Sequence, residues 1–200
     1  MYGRTMMYHE LIGDDDASTP LTTEELEDLK LSYITNRDEL NEAEQRNITK
    51  AFQWAPKSRL DLFSDTFLKT LHKNMFGDVW KWAGKYRQSP RNIGIDAYRI
   101  PIEIRSLFED VTFWIENMTF SPIETGARFH HKLVFIHPFP NGNGRCSRFM
   151  TDLVMKRSYN QVFTWGKQYE DIQKRRNVYI KALRAADNHD FELLNQFVES

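Results

Sequence analysis

One cysteine, Cys146, stands among the 200 residues, and a single thiol can neither close an internal disulfide nor build a cysteine-rich zinc site. This favours a reducing compartment, and the expected localisation is cytoplasmic. No apolar run nears the roughly 18 residues of a membrane span, and the opening MYGRTMMYHELIGDDD holds no continuous apolar stretch of the kind a secretory leader needs. No membrane partner is expected. Charge of one sign is missing too: 27 Lys and Arg against 28 Asp and Glu leave a net −1, so no global field draws the chain to nucleic acid or an anionic bilayer. Internal repeats and low-complexity tracts are absent. What is present, 40% hydrophobic and 28% charged residues, is enough to bury a core.

The charge that exists is unevenly placed. The first thirty residues hold eight acids (Glu10, Asp14, Asp15, Asp16, Glu24, Glu25, Glu27, Asp28) against Arg4 and Lys30. Residues 1–20 are expected to be a solvated acidic arm, and residues 21–57 a helical extension opened by Thr22 capping towards Glu25. From Asp38 onward, apolar residues recur at helical spacing over 38–54, 59–75, 101–117, 121–136, 145–157, 168–186 and 190–198, with residues 58–200 as the core domain. The expected fold class is all-α, a helical bundle. Its one exception is Arg91–Ile100, RNIGIDAYRI, where Ile93, Gly94 and Ile95 suit a short β-hairpin; Pro101 then opens the next helix, where its missing N–H costs little.

Fourteen Phe, eight Tyr and five Trp could serve base stacking, but Phe135 and Phe149 fall on apolar helix faces and no nucleic-acid signature accompanies them. No direct nucleic-acid binding is expected. The Lys174-Arg175-Arg176 run reads as the wet side of an amphipathic helix. His130, His131 and His137 lack HExxH spacing, and packing or surface roles suit the adjacent pair better than metal ligation. Gly142-Asn143-Gly144 lacks the third glycine of a dinucleotide fingerprint, and no phosphate-loop motif with a lysine occurs.

The chemistry concentrates between two helices. Ser121 can cap a helix with Pro122 in its first turn and Glu124 reaching back, and that helix should run to Ile136. Pro138 disfavours helical backbone at His137, which is expected to leave the helix extended. Pro140, Asn141, Gly142, Asn143 and Gly144 make a turn, and a second helix starts near Arg145. Its first turn offers free N–H groups, its glycines admit a ligand, and Arg145 and Arg148 lie one turn apart, so polyphosphate suits the pocket. His137, titrating near neutrality, can take a proton from an incoming nucleophile. A histidine beside a phosphate cradle points to phosphate-group transfer.

His137–Arg148, HPFPNGNGRCSR, resembles the signature loop of the Fic (Fic/Doc) family, HxFx[D/E]GNGRxxR. The resemblance extends to MFGDVWKWAGKYR at 75–87 and ALRAADNHDFELLNQFV at 182–198, and the HPFPNGNGR form is most similar to the branch called mobile mystery protein B. It implies an all-α core and transfer of AMP from ATP to a Ser, Thr or Tyr hydroxyl of a target protein (AMPylation). By the same resemblance His137 is the general base, Phe139 anchors the loop, and Asn143 orients the α-phosphate. The Gly142 and Gly144 backbone lines the anion hole, Arg145 meets the β- and γ-phosphates, and Arg148 the γ-phosphate. Ile93, Gly94, Ile95 and Tyr98 belong to a flap that aligns the target.

Asn141 stands where the family has an acidic magnesium ligand. A neutral amide holds Mg²⁺ weakly, so the alternative is a nucleotide-binding pseudoenzyme or regulatory protein with little or no transfer. The family's inhibitory helix carries [S/T]xxxE[G/N], whose glutamate pairs with the second arginine. Thr112–Asn117, TFWIEN, matches it but falls within the core helices and is set aside as coincidence. Thr35–Glu39 fits the front of the motif, making Glu39 the inhibitory candidate, with Glu42 and Glu44 as alternatives and a plain surface glutamate as the competing reading. The partners implied are the protein substrate, an antitoxin or other regulator as in a two-gene toxin module, and a second copy of the chain.

Overall fold

The computed structural model describes residues 23–90 and 93–200. The acidic arm, the Thr22 cap, and Arg91 and Asn92 of the expected hairpin lie outside the described residues. Among those described, eight α-helices follow one another: α1 (Thr23–Asp28), α2 (Arg37–Trp54), α3 (Asp65–Phe76), α4 (Ile100–Glu116), α5 (Pro122–Ile136), α6 (Asn143–Tyr159), α7 (Ile172–Asp187) and α8 (Glu192–Glu199).

Local hydrogen bonds set the ends. Asn36 opens α2 by accepting the Glu39 N–H at 3.0 Å, Ser64 opens α3 by accepting that of Phe67 at 3.0 Å, and Ser121 and Asp171 do the same for α5 and α7. The helix expected from residue 59 begins six residues later. Ser58 and Asp61 accept the N–H groups of Leu60 and Phe63, and the Ser64 hydroxyl donates to the Asp61 carbonyl, so the intervening backbone is held in turns. Glu124 does not reach back to close a capping box: both Arg128 Nε and Nη2 donate to its Oε1, at 2.8 and 2.7 Å. The fixed fork of a guanidinium one turn away outcompetes a single backbone donor.

The described residues contain one isolated antiparallel bridge, Leu29 with Trp80, and no strand. The expected hairpin is therefore not seen. Gly94 has φ +95°, and Ala97–Arg99 coil into a 3₁₀ turn closed by Arg99 N–H on the Asp96 carbonyl. Ile93 and Tyr98 are exposed and Ile95 only half-buried, and a two-stranded ribbon that buries so little gains too little to form alone.

The described residues divide into two compact units, residues 23–89 with 139–146, and residues 90 and 93–138 with 147–200. In the first, α2 packs on α3; Leu40, Ala43, Ile48 and Ala51 of α2 and Phe67, Leu68, Leu71 and Met75 of α3 are buried, and Trp54 stacks on Phe67. In the second, α5 packs on α4 and α8, and α7 on α8. Gly126 of α5 lies so close to Phe163 and Met155 that a Cβ there would stand 2.5 Å from the ring. Among the described residues no helix is long and apolar enough to cross a membrane.

Candidate functional site

Helix α5 ends at His137, whose N–H bonds the Leu133 carbonyl at 3.3 Å. The backbone there is not extended, as expected from Pro138, but left-handed, with φ +51° and ψ +61°. Proline disfavours the right-handed conformation for its predecessor without forbidding it, since Ala55 and Ile100 are right-handed before Pro56 and Pro101; at His137 the left-handed conformation stops the helix while keeping the last helical hydrogen bond.

The segment after Pro138 belongs to the first unit and is tied down there. Phe139 is 1% exposed. Asn143 clamps it, Oδ1 accepting the Phe139 N–H and Nδ2 donating to the Phe139 carbonyl, both at 2.8 Å. The amide expected to orient an α-phosphate is thus engaged in holding the loop. Gly142 has φ +74°, and a Cβ on it would lie 2.6 Å from the Phe76 ring, so no other residue fits. Its carbonyl accepts the Cys146 N–H at 3.0 Å and starts α6 two residues earlier than expected. Half-buried Gly144 has nothing within 4 Å of where a Cβ would be, so there is open space beside this residue in the first turn.

Beneath the loop sits a residue the sequence reading did not single out. His72 of α3 is fully buried, its ring stacked on Phe139 at 3.6 Å and 12°. Nδ1 accepts the Gly84 N–H at 2.9 Å, so Nε2 carries the proton and donates to the Asn141 carbonyl at 3.1 Å. Desolvation pushes its pKa down to about 3, so the ring is neutral. Its only sequence signal was a histidine on the apolar face of a helix.

Arg145 is also committed. Its Nη1 donates a short ion-pair hydrogen bond to Glu44 Oε2, while Glu44 Oε1 accepts the Trp80 indole N–H at 2.5 Å. The guanidinium lies 4.7 Å over the Phe76 ring. Of the three candidate glutamates, this is the one that meets a signature arginine, and it is the first arginine of the loop. Glu39 serves α2 itself: its carboxylate accepts from Thr35 N and Oγ1 at 2.7 and 3.1 Å, and the Thr35 backbone bond foremost holds its pKa below the usual range. Glu42 pairs with Arg46 in solvent.

In the second unit, Arg148 lies with its guanidinium 4.7 Å over the Tyr179 ring, and the Tyr179 hydroxyl is 2.9 Å from His130 Nε2. His130 is a packing residue: burial, aided by Arg148, holds its pKa well below the usual value. Asp152, one turn beyond Arg148, accepts the Trp165 indole N–H at 2.9 Å, and burial raises its pKa to about 7. Of the expected flap residues, Ile93, Gly94 and Tyr98 are exposed and Ile95 is half-buried.

With this geometry in hand, comparison with known proteins is decisive. Residues 62–155 match the model of the Fic/DOC family. They belong to the Fic/DOC family. The chain is 35% identical over 92 residues to protein adenylyltransferase fic-1 of Caenorhabditis elegans and 31% identical over 134 residues to protein adenylyltransferase Fic of Aedes aegypti. Those alignments take in 44% and 64% of this chain but 18% and 25% of the relatives, so the chain spans about a quarter or less of their length. Among solved structures, Fic-1 of C. elegans (residues 134 to 508) matches with a TM-score of 0.63 at 24% identity, over 80% of this chain and 48% of that one. BepC of Bartonella tribocorum with bound AMPPNP matches with a TM-score of 0.65 at 18% identity, over 92% and 93%. The Fic domain here therefore has the all-helical Fic fold.

The residues of this Fic domain do not make up a magnesium site. Asn141 offers one neutral amide oxygen, already accepting the Gly142 N–H at 2.7 Å. No group of three or more His, Cys, Asp or Glu able to hold a metal occurs among the described residues. Such a cation demands hard, largely anionic oxygens, which this loop lacks.

Proposed function

We propose that this Fic domain transfers AMP from ATP to a Ser, Thr or Tyr hydroxyl of a protein, with release of pyrophosphate. One observation carries the reading: at the start of α6 an arginine, Arg145, stands in the same turn as Gly144, which has open space beside it, and a helix start with a guanidinium can recognise an anion by charge and by N–H donors together. The 30–37% identity to protein adenylyltransferases supports the reaction class. In it, His137 takes the proton of the attacking hydroxyl, Arg145 and Arg148 hold the outer phosphates, and the Gly142 and Gly144 backbone receives the inner ones. Exposed Ile93 and Tyr98 form the target-aligning flap, which gains strand character when an extended target segment pairs with it. The HPFPNGNGR loop supports placement in the mobile mystery protein B branch, and with it a cytoplasmic two-gene toxin module.

In the unliganded chain, Glu44 acts as the inhibitory glutamate in place of Glu39, because it neutralises the arginine that ATP must recruit. A second reading, nucleotide binding without transfer, is favoured by the neutral Asn141. Incubating the purified protein with α-labelled NTPs and a cell lysate, with magnesium and manganese in parallel, separates the two. A labelled protein band establishes transfer; saturable binding with no band establishes the regulator.

A further inference from the structure

A trans peptide points its C=O and its N–H in opposite directions, so whatever captures one oxygen also aims the next N–H. In the first unit the Asn141 carbonyl is turned onto buried His72 Nε2 at 3.1 Å. The Gly142 N–H is thereby turned away from the interior, where exposed Asn141 supplies Oδ1 as its acceptor at 2.7 Å. Were this peptide flipped, a carbonyl would face an incoming phosphate, and an N–H would face the Nε2–H of the ring, donor against donor.

The choice is made one step further back. Gly84, at φ +78° and with its Cα so close to Lys69 and Lys73 that a Cβ would stand 2.8 Å from the Lys73 Cβ, brings its N–H onto His72 Nδ1. That donor leaves the ring one tautomer, protonated on Nε2, and a buried Nε2–H requires an acceptor. The stack on Phe139 fixes the ring plane.

We infer that His72 is a positioning residue of the anion loop, its Nε2–H tautomer fixing the Asn141–Gly142 peptide so that the Gly142 N–H faces the nucleotide phosphates. The inference rests on the nucleotidyl-transfer reading of the loop for the identity of the anion. In the unliganded chain the Asn141 amide oxygen occupies the place of a phosphate oxygen and is displaced when ATP binds. Burial keeps the ring neutral down to about pH 3, so near neutrality no positive charge takes the place of the single donor.

The test uses the full chain, ¹⁵N-labelled, in three forms. In the wild type the ring should show a protonated Nε2 and an unprotonated Nδ1, unchanged between about pH 5 and 8. His72→Phe keeps the stack but removes both nitrogens: the Gly142 amide resonance should shift and exchange faster, while the clamped Phe139 and Asn143 amides stay. ATP affinity should fall about tenfold, the worth of one donor, with the loss in KM and not in kcat. His72→Gln, whose amide can still donate to the Asn141 carbonyl, should recover most of the affinity and the wild-type Gly142 resonance. A ring protonated on Nδ1, or an unmoved Gly142 amide in His72→Phe, overturns the inference. Should the wild type bind no ATP, the nucleotidyl-transfer reading falls, while the ring tautomer and the Gly142 amide still decide the positioning role. If His72→Phe does not fold, the wild-type tautomer and the Gly142 amide in His72→Gln decide it.

Discussion

Replacing Glu44 by Gln separates binding from stability in one substitution. The pair Glu44–Arg145 is well buried, with side chains 5% and 14% exposed. Glutamine keeps an oxygen for the Trp80 indole N–H but withdraws the charge that Arg145 faces. The unliganded chain should lose about 1–3 kcal/mol of stability, since a guanidinium is left in a poorly hydrated place with a weaker acceptor. The same withdrawal removes the competitor for phosphate. A charge-assisted hydrogen bond is worth about 1.5–3 kcal/mol, so even the lower end raises ATP affinity about tenfold. Thermal melts with and without ATP, together with calorimetric titration, read both effects: the unliganded Tm should fall, while the rise produced by a fixed ATP concentration should grow, because ligand stabilisation follows the logarithm of concentration over Kd. An ATP affinity that is unchanged or weaker would mean that Glu44 merely satisfies Arg145 and does not stand in the way of nucleotide.

The remaining predictions concern the other signature positions and one buried acid. His137→Ala should abolish transfer of label while leaving ATP affinity within a few-fold, because a general base acts on the target hydroxyl; equal loss of both in parallel titrations counts against that role. Asn141→Asp should weaken ATP binding without metal and make it magnesium-dependent, with transfer rising about tenfold, or about 1.4 kcal/mol; identical binding curves with and without magnesium would refute a metal role at this position. Asp152 is protonated in the fold below about pH 7 and ionises near 3.8 once exposed, so its contribution to stability is full at low pH and is lost as pH rises to about 7. His72, held neutral, contributes in the opposite sense, its share lost as pH falls from 6.5 to about 3. Urea unfolding of Asp152→Asn should therefore show stability at pH 8 relative to pH 5 raised by about 2–3 kcal/mol over the wild-type difference; an unchanged pH slope refutes the buried-acid assignment.

Where helices begin and end was legible because the interactions responsible are local. Ser121 and Pro122 announce α5 within three residues, and the apolar period of residues 38–54 is α2 nearly to the residue. The misplacements are local as well, but turn on competition. At Ser58–Ser64 side chains and helix bid for the same N–H groups, and the stretch expected as a hairpin leaves Ile93 and Tyr98 exposed. The signature loop declared the family because its glycines and arginines stand at a fixed spacing within twelve consecutive residues, 137–148.

What only the tertiary structure decided is which groups from elsewhere in the chain meet that loop. Glu44 and Arg145 are 101 residues apart, and nothing in the spacing of Glu39, Glu42 and Glu44 tells which of them turns inward, because that depends on the rotation of α2 about its axis as it packs on α3. His72 and Asn141 are separated by 69 residues, and the role of His72 rests on a tautomer selected by a third residue, Gly84. Helical period and capping are properties of neighbours along the chain. Desolvation, ion pairing and tautomer choice are properties of neighbours in space, and those become defined only when the core closes around them.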